Sequence, residues 1–469
     1  MQSHSTPAGR AAVDTIVAIA TPPGRGGIGV VRLSGPAVPA LARALLGELP
    51  PPRSAVARRF RAADGSAIDS GIALYFEAPA SFTGEHVLEL QGHGGPAVMD
   101  LLVERALALG ARPARPGEFS ARAFANDKLD LAQAEAVADL IDAGSAAAAR
   151  AALRSLEGEF SARVRALDGL LIELRTLVEA AIDFSEEDLD LPGAGGLASR
   201  VAALDAAFAA LARGAEQGRL LHDGCTLVIA GRPNAGKSSL MNALAGHDAA
   251  IVAALPGTTR DLLRERILID GLPVTLLDTA GLREQADAVE AEGMRRARRA
   301  IEGADRVLYV VDATDAAALS AWRHEVAGLG SAVPVTVLFN KCDLAATRPG
   351  PGDAVGGGAA AGGVAAVVTL RISALTGVGL EALRAHIRES AGYLPGDSGT
   401  FSARRRHLDA LARARAHAAT AGTLLAARAG VELIAEELRL AQRALGEITG
   451  EFTSEDLLGR IFASFCIGK

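Results

Sequence analysis

The chain has 469 residues, too many for a single hydrophobic core, so we expect two or three domains. Its formal net charge of -7 excludes a bulk nucleic-acid coat and leaves only a local basic patch for any RNA contact. The three cysteines, Cys225, Cys342 and Cys466, are far apart and lack metal-ligand spacing, which predicts a reducing, cytoplasmic setting. The sequence also lacks the long apolar run that membrane insertion requires.

The first part of the chain mixes short apolar runs with turn signals. Helical patterns cover residues 39–46 and 97–109, and strand-like runs cover residues 15–20, 29–33, 72–76 and 86–90. We therefore predict a small α+β domain over residues 1–126. Gly24, Gly26 and Gly29 match the dinucleotide-binding spacing G-x-G-x-x-G, but strand-like residues follow them where that motif requires a helix, so we interpret them as a glycine turn.

Two long Ala-, Leu-, Glu- and Arg-rich regions with helical spacing flank a region in which strands and helices alternate. The spacing is clear at Val164, Leu167, Leu171, Leu174 and Leu177. We predict a multidomain α/β plus α chain in which a doubly wound α/β domain is inserted into one helical domain; two separate helical domains are the alternative. The predicted boundaries are 127–222 and 394–469 for the helical parts and 223–393 for the insertion, with a Gly/Ala-rich surface loop at 349–364.

The inserted region begins with a phosphate-binding motif. A short apolar strand runs into G-x-x-x-x-G-K-S at residues 231–238, and a helical pattern follows. In this context backbone N–H groups surround phosphates, Lys237 neutralises the β- and γ-phosphate charge, and the Ser238 hydroxyl binds Mg²⁺. A chance glycine turn is the alternative, and the elements that follow in order make it improbable.

Four further elements predict that the nucleotide is GTP. Thr259 would bind Mg²⁺ when the γ-phosphate is present, while Asp278 would hold the metal through water and Gly281 would sense the γ-phosphate. Asp343, in the Asn-Lys-Cys-Asp segment after an apolar strand, accepts two hydrogen bonds from guanine, whereas adenine presents the opposite pattern. The segment at residues 372–375 would place a backbone N–H against guanine O6.

The predicted catalytic machinery differs from that of small switch GTPases, which have a glutamine directly after the D-x-x-G glycine. Leu282 occupies that position here, and Glu284 is the nearest group able to orient water; a solvated loop carboxylate is the alternative. Arg260 and Arg283 are possible arginine fingers. The Asn234 amide would coordinate a monovalent cation beside the phosphates, although asparagine also suits a tight turn.

These motifs closely resemble the MnmE (TrmE) family of tRNA-modifying GTPases over nearly the whole chain. Further segments that carry the resemblance are residues 14–18, 21–30, 81–85, 90–95, 116–119, 126–136 and 465–469. The resemblance implies an N-terminal folate-binding domain that forms a homodimer, a helical domain made from both flanks, and an inserted G domain. It also implies a heterotetramer with the FAD-dependent partner MnmG, which installs a carboxymethylaminomethyl-type group at carbon 5 of the tRNA wobble uridine.

The resemblance also assigns residues to ligands. A 5-formyl- or methylene-tetrahydrofolate would contact Arg32, Glu89, Lys128 and Lys469. Potassium would be bound by Asn234, Thr258 and the carbonyls of Ala253 and Leu255, with Ala253 departing from the family's threonine. Glu284, Lys237 and Cys466 are the predicted catalytic residues. The predicted GTP contacts are Asn234, Ala235, Gly236, Lys237, Ser238, Ser239, Ala253, Ala254, Leu255, Pro256, Gly257, Thr258, Thr259, Asp278, Thr279, Ala280, Gly281, Asn340, Lys341, Asp343, Ser373, Ala374 and Leu375.

Some features keep two interpretations at this stage. Cys466 is either a thiol whose pKa Lys469 lowers or a packed tail cysteine, and its C-terminal neighbours do not suit prenylation. Two basic runs, Arg295 to Arg299 and Arg404 to Arg406, are either tRNA-phosphate contacts or solvated helix faces. The predicted function is GTP-dependent tRNA modification, and a ribosome-assembly or regulatory GTPase is the alternative.

Overall fold

The computed structural model describes residues 14–183, 194–248, 264–278, 298–329, 333–345, 367–394, 400–427, 430–452 and 454–468. The chain divides into two compact units, one comprising residues 1–138, 154–208 and 409–469 and the other residues 139–153 and 209–408. The predicted low-complexity loop at 349–364 lies outside the described residues. The domain boundaries at residues 126, 222 and 393 remain predictions.

The first unit contains a six-stranded mixed sheet. Its strands are β1 (Ile16–Ile19), β2 (Gly26–Ser34), β3 (Val56–Arg61), β4 (Ala67–Phe76), β5 (Val87–Gly94) and β6 (Arg112–Pro113). Their spatial order is β3-β4-β5-β2-β1-β6, and every pair is antiparallel except β1 with β6. Gly26 and Gly29 lie within β2, which confirms that the G-x-G-x-x-G match does not open a helix.

Helices cover both faces of this sheet. On one face α1 (Val38–Leu46) and α2 (Pro96–Ala108) pack over a core that includes Leu33, Leu88 and Leu90. On the other face Phe119 of α3 (Glu118–Ala125) packs against Ile16 and Ala18. Strand β1 therefore buries Val17 on one side and Ile16 and Ala18 on the other, as the sequence period of two requires.

The two regions that the sequence predicts to be helical do form helices in the structure. They are α4 (Leu131–Asp142), α5 (Ala146–Leu156), α6 (Glu159–Asp183), α7 (Ala194–Asp223), α11 (Arg405–Ala426), α12 (Val431–Thr449) and α13 (Glu455–Ala463). In the first unit α6 packs on α12, and Arg175 donates a hydrogen bond to Gln442 across them at 3.0 Å. The buried stripe of α6 follows the predicted spacing but continues through Val178, which is 1% exposed, because Leu177 lies beside the stripe.

The second unit contains a doubly wound sheet with strand order β12-β11-β10-β7-β9-β8. Its strands are β7 (Cys225–Gly231), β8 (Arg264–Ile269), β9 (Leu272–Asp278), β10 (Arg306–Asp312), β11 (Val335–Asn340) and β12 (Val368–Arg371), all parallel to their neighbours except β8. Helices α8 (Lys237–Asp248) and α10 (Leu380–Ala391) cover one face, and α9 (Ala316–Gly328) covers the other. Parallel strands require this coverage because both of their faces are apolar.

Candidate functional site

The G-x-x-x-x-G-K-S segment forms a loop between β7 and α8, as predicted. Gly231 and Gly236 have φ values of 142° and 94°, and a Cβ on Gly236 would lie 2.2 Å from the Asn340 side-chain nitrogen. Asn234 also has a positive φ, 61°, and its side chain is exposed. The tight-turn role of Asn234 is therefore present in the structure, and its role as a potassium ligand remains a prediction.

Lys237 is the first residue of α8 and is buried in the loop. Its ammonium group donates hydrogen bonds to the carbonyls of Arg232 at 2.8 Å and Gly231 at 3.2 Å. Ser238 and Ser239 follow it in the first turn of α8 with exposed side chains. The helix N-terminus, the ammonium group and the two hydroxyls together have the chemistry to bind an anion and its counter-cation.

Asp278 ends β9 directly beside the strand that leads into the loop. It pairs in register with Ile229 of β7 and is 2% exposed. A carboxylate at the carboxyl end of a parallel strand, next to the phosphate loop, is suitably placed to bind a hydrated Mg²⁺ ion. The structure thus brings Asp278 to the same edge of the sheet as Lys237 and Ser238.

Asn340 connects the phosphate loop to the predicted guanine loop. Its side-chain nitrogen donates to the Ala235 carbonyl at 2.9 Å, and its side-chain oxygen accepts from Ala374 N–H at 3.0 Å. Asn340 is 2% exposed, so its hydrogen bond to Ala235 is buried, while the one from Ala374 is partly buried. In the structure Asn340 joins the phosphate loop to the segment at residues 372–375, and its predicted contact with the nucleotide remains a prediction.

The guanine-side residues converge at the ends of β11 and β12. Lys341 pairs with Asp312 at 2.6 Å, while Asp343 is exposed two residues further on. Although burial raises it, the pKa of Asp312 is held below its ordinary value by Lys341 and by hydrogen bonds from Thr314. Ser373 is buried and its hydroxyl accepts from Thr376 N–H at 3.1 Å, which leaves Leu375 at the tip of the loop, 87% exposed. This edge therefore presents an acceptor carboxylate, backbone donors and an apolar side chain.

Several predicted site residues lie outside the described residues. They are Ala253, Ala254, Leu255, Pro256, Gly257, Thr258, Thr259, Thr279, Ala280, Gly281, Glu284 and Lys469, together with the possible fingers Arg260 and Arg283. Their assignments remain predictions.

The structure places two of the predicted folate residues together in the first unit. Arg32 and Glu89 are cross-strand partners on β2 and β5, and Arg32 Nε donates to Glu89 Oε1 at 2.9 Å. Arg32 also donates to the Gly468 carbonyl at 3.3 Å and lies 5.8 Å from the centre of the Phe119 ring. Lys128 instead donates to the Pro79 carbonyl at 3.1 Å. A cation and an acid thus lie side by side next to an aromatic ring, which suits a pterin-like heterocycle.

A charged network that sequence reasoning missed lies on the same face of the sheet. Arg122 of α3 is 7% exposed on its side chain and pairs with Glu85, Glu118 and Asp14. Burial raises the pKa of Glu118, but hydrogen bonds from Arg112, Arg115 N–H and Arg122 lower it to about 2. Asp14 and Glu85 lie 108 and 37 residues from Arg122 in sequence, so only the i, i+4 pair with Glu118 leaves a local pattern.

Among the features with two interpretations, Cys466 and Arg404 have defined environments, whereas Arg295 and Arg296 lie outside the described residues. Cys466 is exposed, and its carbonyl accepts a hydrogen bond from Gly117 N–H at 3.3 Å. Arg404 pairs with Asp139 at 2.6 Å and is 20% exposed on its side chain, so it belongs to an ion pair within the second unit. Within the described part of the chain, no helix is long and apolar enough to cross a membrane.

A doubly wound sheet with a phosphate loop, a buried carboxylate after β9 and an Asn-Lys-x-Asp segment after β11 defines a P-loop GTPase. The family description "MnmE helical domain" matches residues 131–466, and "GTP-binding protein TrmE N-terminus" matches residues 15–128. The chain belongs to the MnmE family of tRNA modification GTPases.

Individual relatives agree with this assignment. The tRNA modification GTPase MnmE of Alkalilimnicola ehrlichii is 57% identical, over 97% of this chain and 99% of its own length. The protein of the same name from Methylococcus capsulatus is 56% identical, over 97% of this chain and 99% of its own length. The solved G domain of the T. maritima FeoB iron transporter aligns at 24% identity with a TM-score of 0.25, over 36% of this chain and 98% of that one, a similarity too low to carry weight.

Proposed function

We propose that this protein hydrolyses GTP to drive modification of tRNA, with the nucleotide bound between the loop at residues 231–238 and the segments after β9, β11 and β12. The observation that supports this most is the Asn340 bridge, which joins the phosphate loop to the segment at residues 372–375 that we predict to contact guanine. A direct link between these two segments is what simultaneous recognition of phosphate and base would require.

The described residues have separate roles in the proposed site. Lys237 would exchange its carbonyl partners for the β- and γ-phosphate oxygens, and Ser238 and Asp278 would hold Mg²⁺, which supplies charge neutralisation when bound. Asp343 would accept hydrogen bonds from guanine. Outside the described residues, we propose that Thr259 completes the magnesium site and that Glu284 orients the attacking water.

We further propose that potassium binds beside the phosphates through Asn234, Thr258 and the carbonyls of Ala253 and Leu255. A monovalent cation there supplies the positive charge that an arginine finger supplies in other GTPases. Potassium should then stimulate turnover far more than sodium, and equal rates in the two salts would remove this site.

We propose that the modified base is the wobble uridine and that the one-carbon unit comes from a tetrahydrofolate bound in the first unit. The Arg32–Glu89 pair beside Phe119 supports this, since it offers a carboxylate to pterin N–H groups next to a cation and an aromatic ring. The chain would act as a homodimer in complex with a FAD-dependent partner of the MnmG type, in the cytoplasm. Lys128 and Lys469 would add cations, and a role for Cys466 in catalysis belongs to the same proposal.

Two measurements test this function. Mass spectrometry of tRNA from a deletion strain should show the wobble uridine without its carbon-5 group, and an unchanged uridine modification would favour a ribosome-assembly or regulatory role. Titration of the purified chain with 5-formyltetrahydrofolate should show saturable binding that Arg32→Ala weakens at least about tenfold, since a charge-assisted contact is lost. Arg25→Ala, an exposed arginine on the same glycine-rich segment, is the matched control.

A further inference from the structure

Arg232, the second residue of the phosphate loop, is tied by its side chain to α9. Its Nε and Nη2 atoms lie 2.7 and 2.6 Å from Glu325 Oε1, and the hydroxyl of Tyr309 on β10 donates to Glu325 Oε2. Hydrogen bonds from Tyr309 and Arg232 hold the pKa of Glu325 below its ordinary value. The phosphate loop, β10 and α9 therefore meet on one carboxylate, and we call Arg232, Tyr309 and Glu325 the Glu325 network.

The phosphate loop borders a cavity on the side that faces β10 and α9. The cavity has a volume of about 220 Å³ and is lined on one side by loop residues 232–235 and on the other by β10, Asp315 and Ala318. A void on one side of a loop removes the dispersion contacts that would otherwise hold its backbone in place. Among the described residues, the Glu325 network therefore restrains Arg232 from the side of α9, while the Asn340 bridge holds Ala235.

The position of Arg232 matters for the nucleotide because of its backbone. The Arg232 carbonyl accepts a hydrogen bond from the Lys237 ammonium group at 2.8 Å. A shift of Arg232 toward the cavity would move that carbonyl, the ammonium group it orients and the adjoining backbone N–H groups together. A displacement of about 1 Å at such a site is enough to change binding and turnover substantially.

We propose that Glu325 is a positioning residue for the nucleotide site: it holds Arg232, and through Arg232 the phosphate loop, in the geometry that receives the β-phosphate. This inference rests on the proposed GTPase function and adds a residue from α9 that the nucleotide itself does not touch.

Because Glu325 is negatively charged, electrostatics and positioning predict opposite changes in GTP affinity when it is replaced. A carboxylate near a triphosphate repels it, so by Coulomb's law alone its removal would leave GTP binding equal or tighter. Positioning predicts the opposite result, since Glu325→Gln keeps the shape of the side chain but releases Arg232. Weaker binding by Glu325→Gln would therefore identify geometry, and not charge, as the cause.

The experiment measures dissociation constants of magnesium-bound GTP, GDP and GMP for the full chain and for Glu325→Gln, Arg232→Gln and the double variant. We expect each single variant to bind GTP and GDP about three- to tenfold more weakly, as for a partly exposed charge-assisted network. The dissociation constant of GMP, which lacks the β-phosphate, should change less than twofold in these variants. The double variant should be no weaker than either single variant, because both remove the same restraint.

Glu302→Gln is the matched control, because Glu302 pairs with Arg298 on an exposed helix at 3.8 Å and its loss removes the same charge from the same unit. It should change GTP binding less than twofold. Any of three results would reject the positioning role: GTP binding by Glu325→Gln that is equal to wild type or tighter, additive losses of affinity in the double variant, or a loss of GMP affinity as large as that of GTP. If the wild-type chain itself failed to bind GTP, the proposed function would be rejected together with this inference.

Discussion

The Asn340 bridge yields the most specific prediction of the structure. Asn340→Ala removes two hydrogen bonds, from its side-chain nitrogen to the Ala235 carbonyl and from Ala374 N–H to its side-chain oxygen. Ala235 is 1% exposed, so its carbonyl has no access to replacement water, whereas the partly exposed Ala374 can recover some of its loss. The buried Ala235 carbonyl, left without a donor, and the partly compensated Ala374 N–H together lower the unfolding free energy of the second unit by about 2–4 kcal/mol.

The chain contains a single tryptophan, which makes this cost measurable in that unit alone. Trp322 lies on α9 in the second unit, is 9% exposed and contacts the Phe339 ring edge-on at 5.9 Å between centres. Urea unfolding followed by tryptophan fluorescence therefore reports on the unit that contains the bridge. We expect a lower midpoint for Asn340→Ala and weaker GTP binding, because the phosphate and guanine loops would then be free to separate.

Asn242→Ala is the matched control for this prediction. Asn242 is an exposed residue of α8, so the same substitution there removes an amide without breaking a buried bridge. It should leave the free energy of unfolding within about 0.5 kcal/mol of wild type, as expected for surface positions. If Asn340→Ala and Asn242→Ala behaved alike, the bridge would have no energetic importance and the reasoning would fail.

Two other predictions concern base selection and pH. In competition binding, Asp343→Asn should lose GTP affinity and gain affinity for xanthosine triphosphate, because xanthine presents a carbonyl acceptor where guanine presents an amine. A variant that still prefers GTP would remove Asp343 from base recognition. His222 has both ring nitrogens against carboxylates, Asp139 at 3.0 Å and Asp223 at 2.7 Å, and these two hydrogen bonds raise its pKa to about 9 despite burial and the nearby Arg404. Because its folded-state pKa is raised, His222 contributes stability that is fully present below about pH 6.5 and is lost as pH rises through about 9. Urea midpoints should therefore fall over that window in wild type and fall less in His222→Gln, with exposed His324→Gln as the control. Parallel falls in wild type and His222→Gln would refute this explanation.

The sequence allowed much of the fold to be predicted because the relevant signals are local. The phosphate loop, the strands that precede Asp278 and Asn340, and the apolar stripe of α6 each depend on residues close together in the chain. Strand β3 was missed because its sequence, Val-Ala-Arg-Arg-Phe-Arg, has three arginines on an edge strand and buries only Phe60. Such an edge resembles a loop in composition even though it pairs along its whole length with β4.

The parts of the site that could not be predicted all depend on distant residues. Asn340 lies 105 residues from its partner Ala235, and Arg232 lies 93 residues from Glu325. Lys341 was predicted to contact the nucleotide, and only the structure shows that Asp312, 29 residues away, holds its ammonium group. Pairings of this kind follow from the order of parallel strands in the sheet, which no local spacing records.

The central claim is that one pocket in the second unit binds GTP and distinguishes it from ATP. Calorimetric titration of the purified full chain with each magnesium-bound nucleotide tests this most directly. We expect saturable binding of GTP and at least about 100-fold weaker binding of ATP, because adenine leaves the Asp343 carboxylate without donors. Equal affinity for the two nucleotides, or no binding of GTP, would contradict the account.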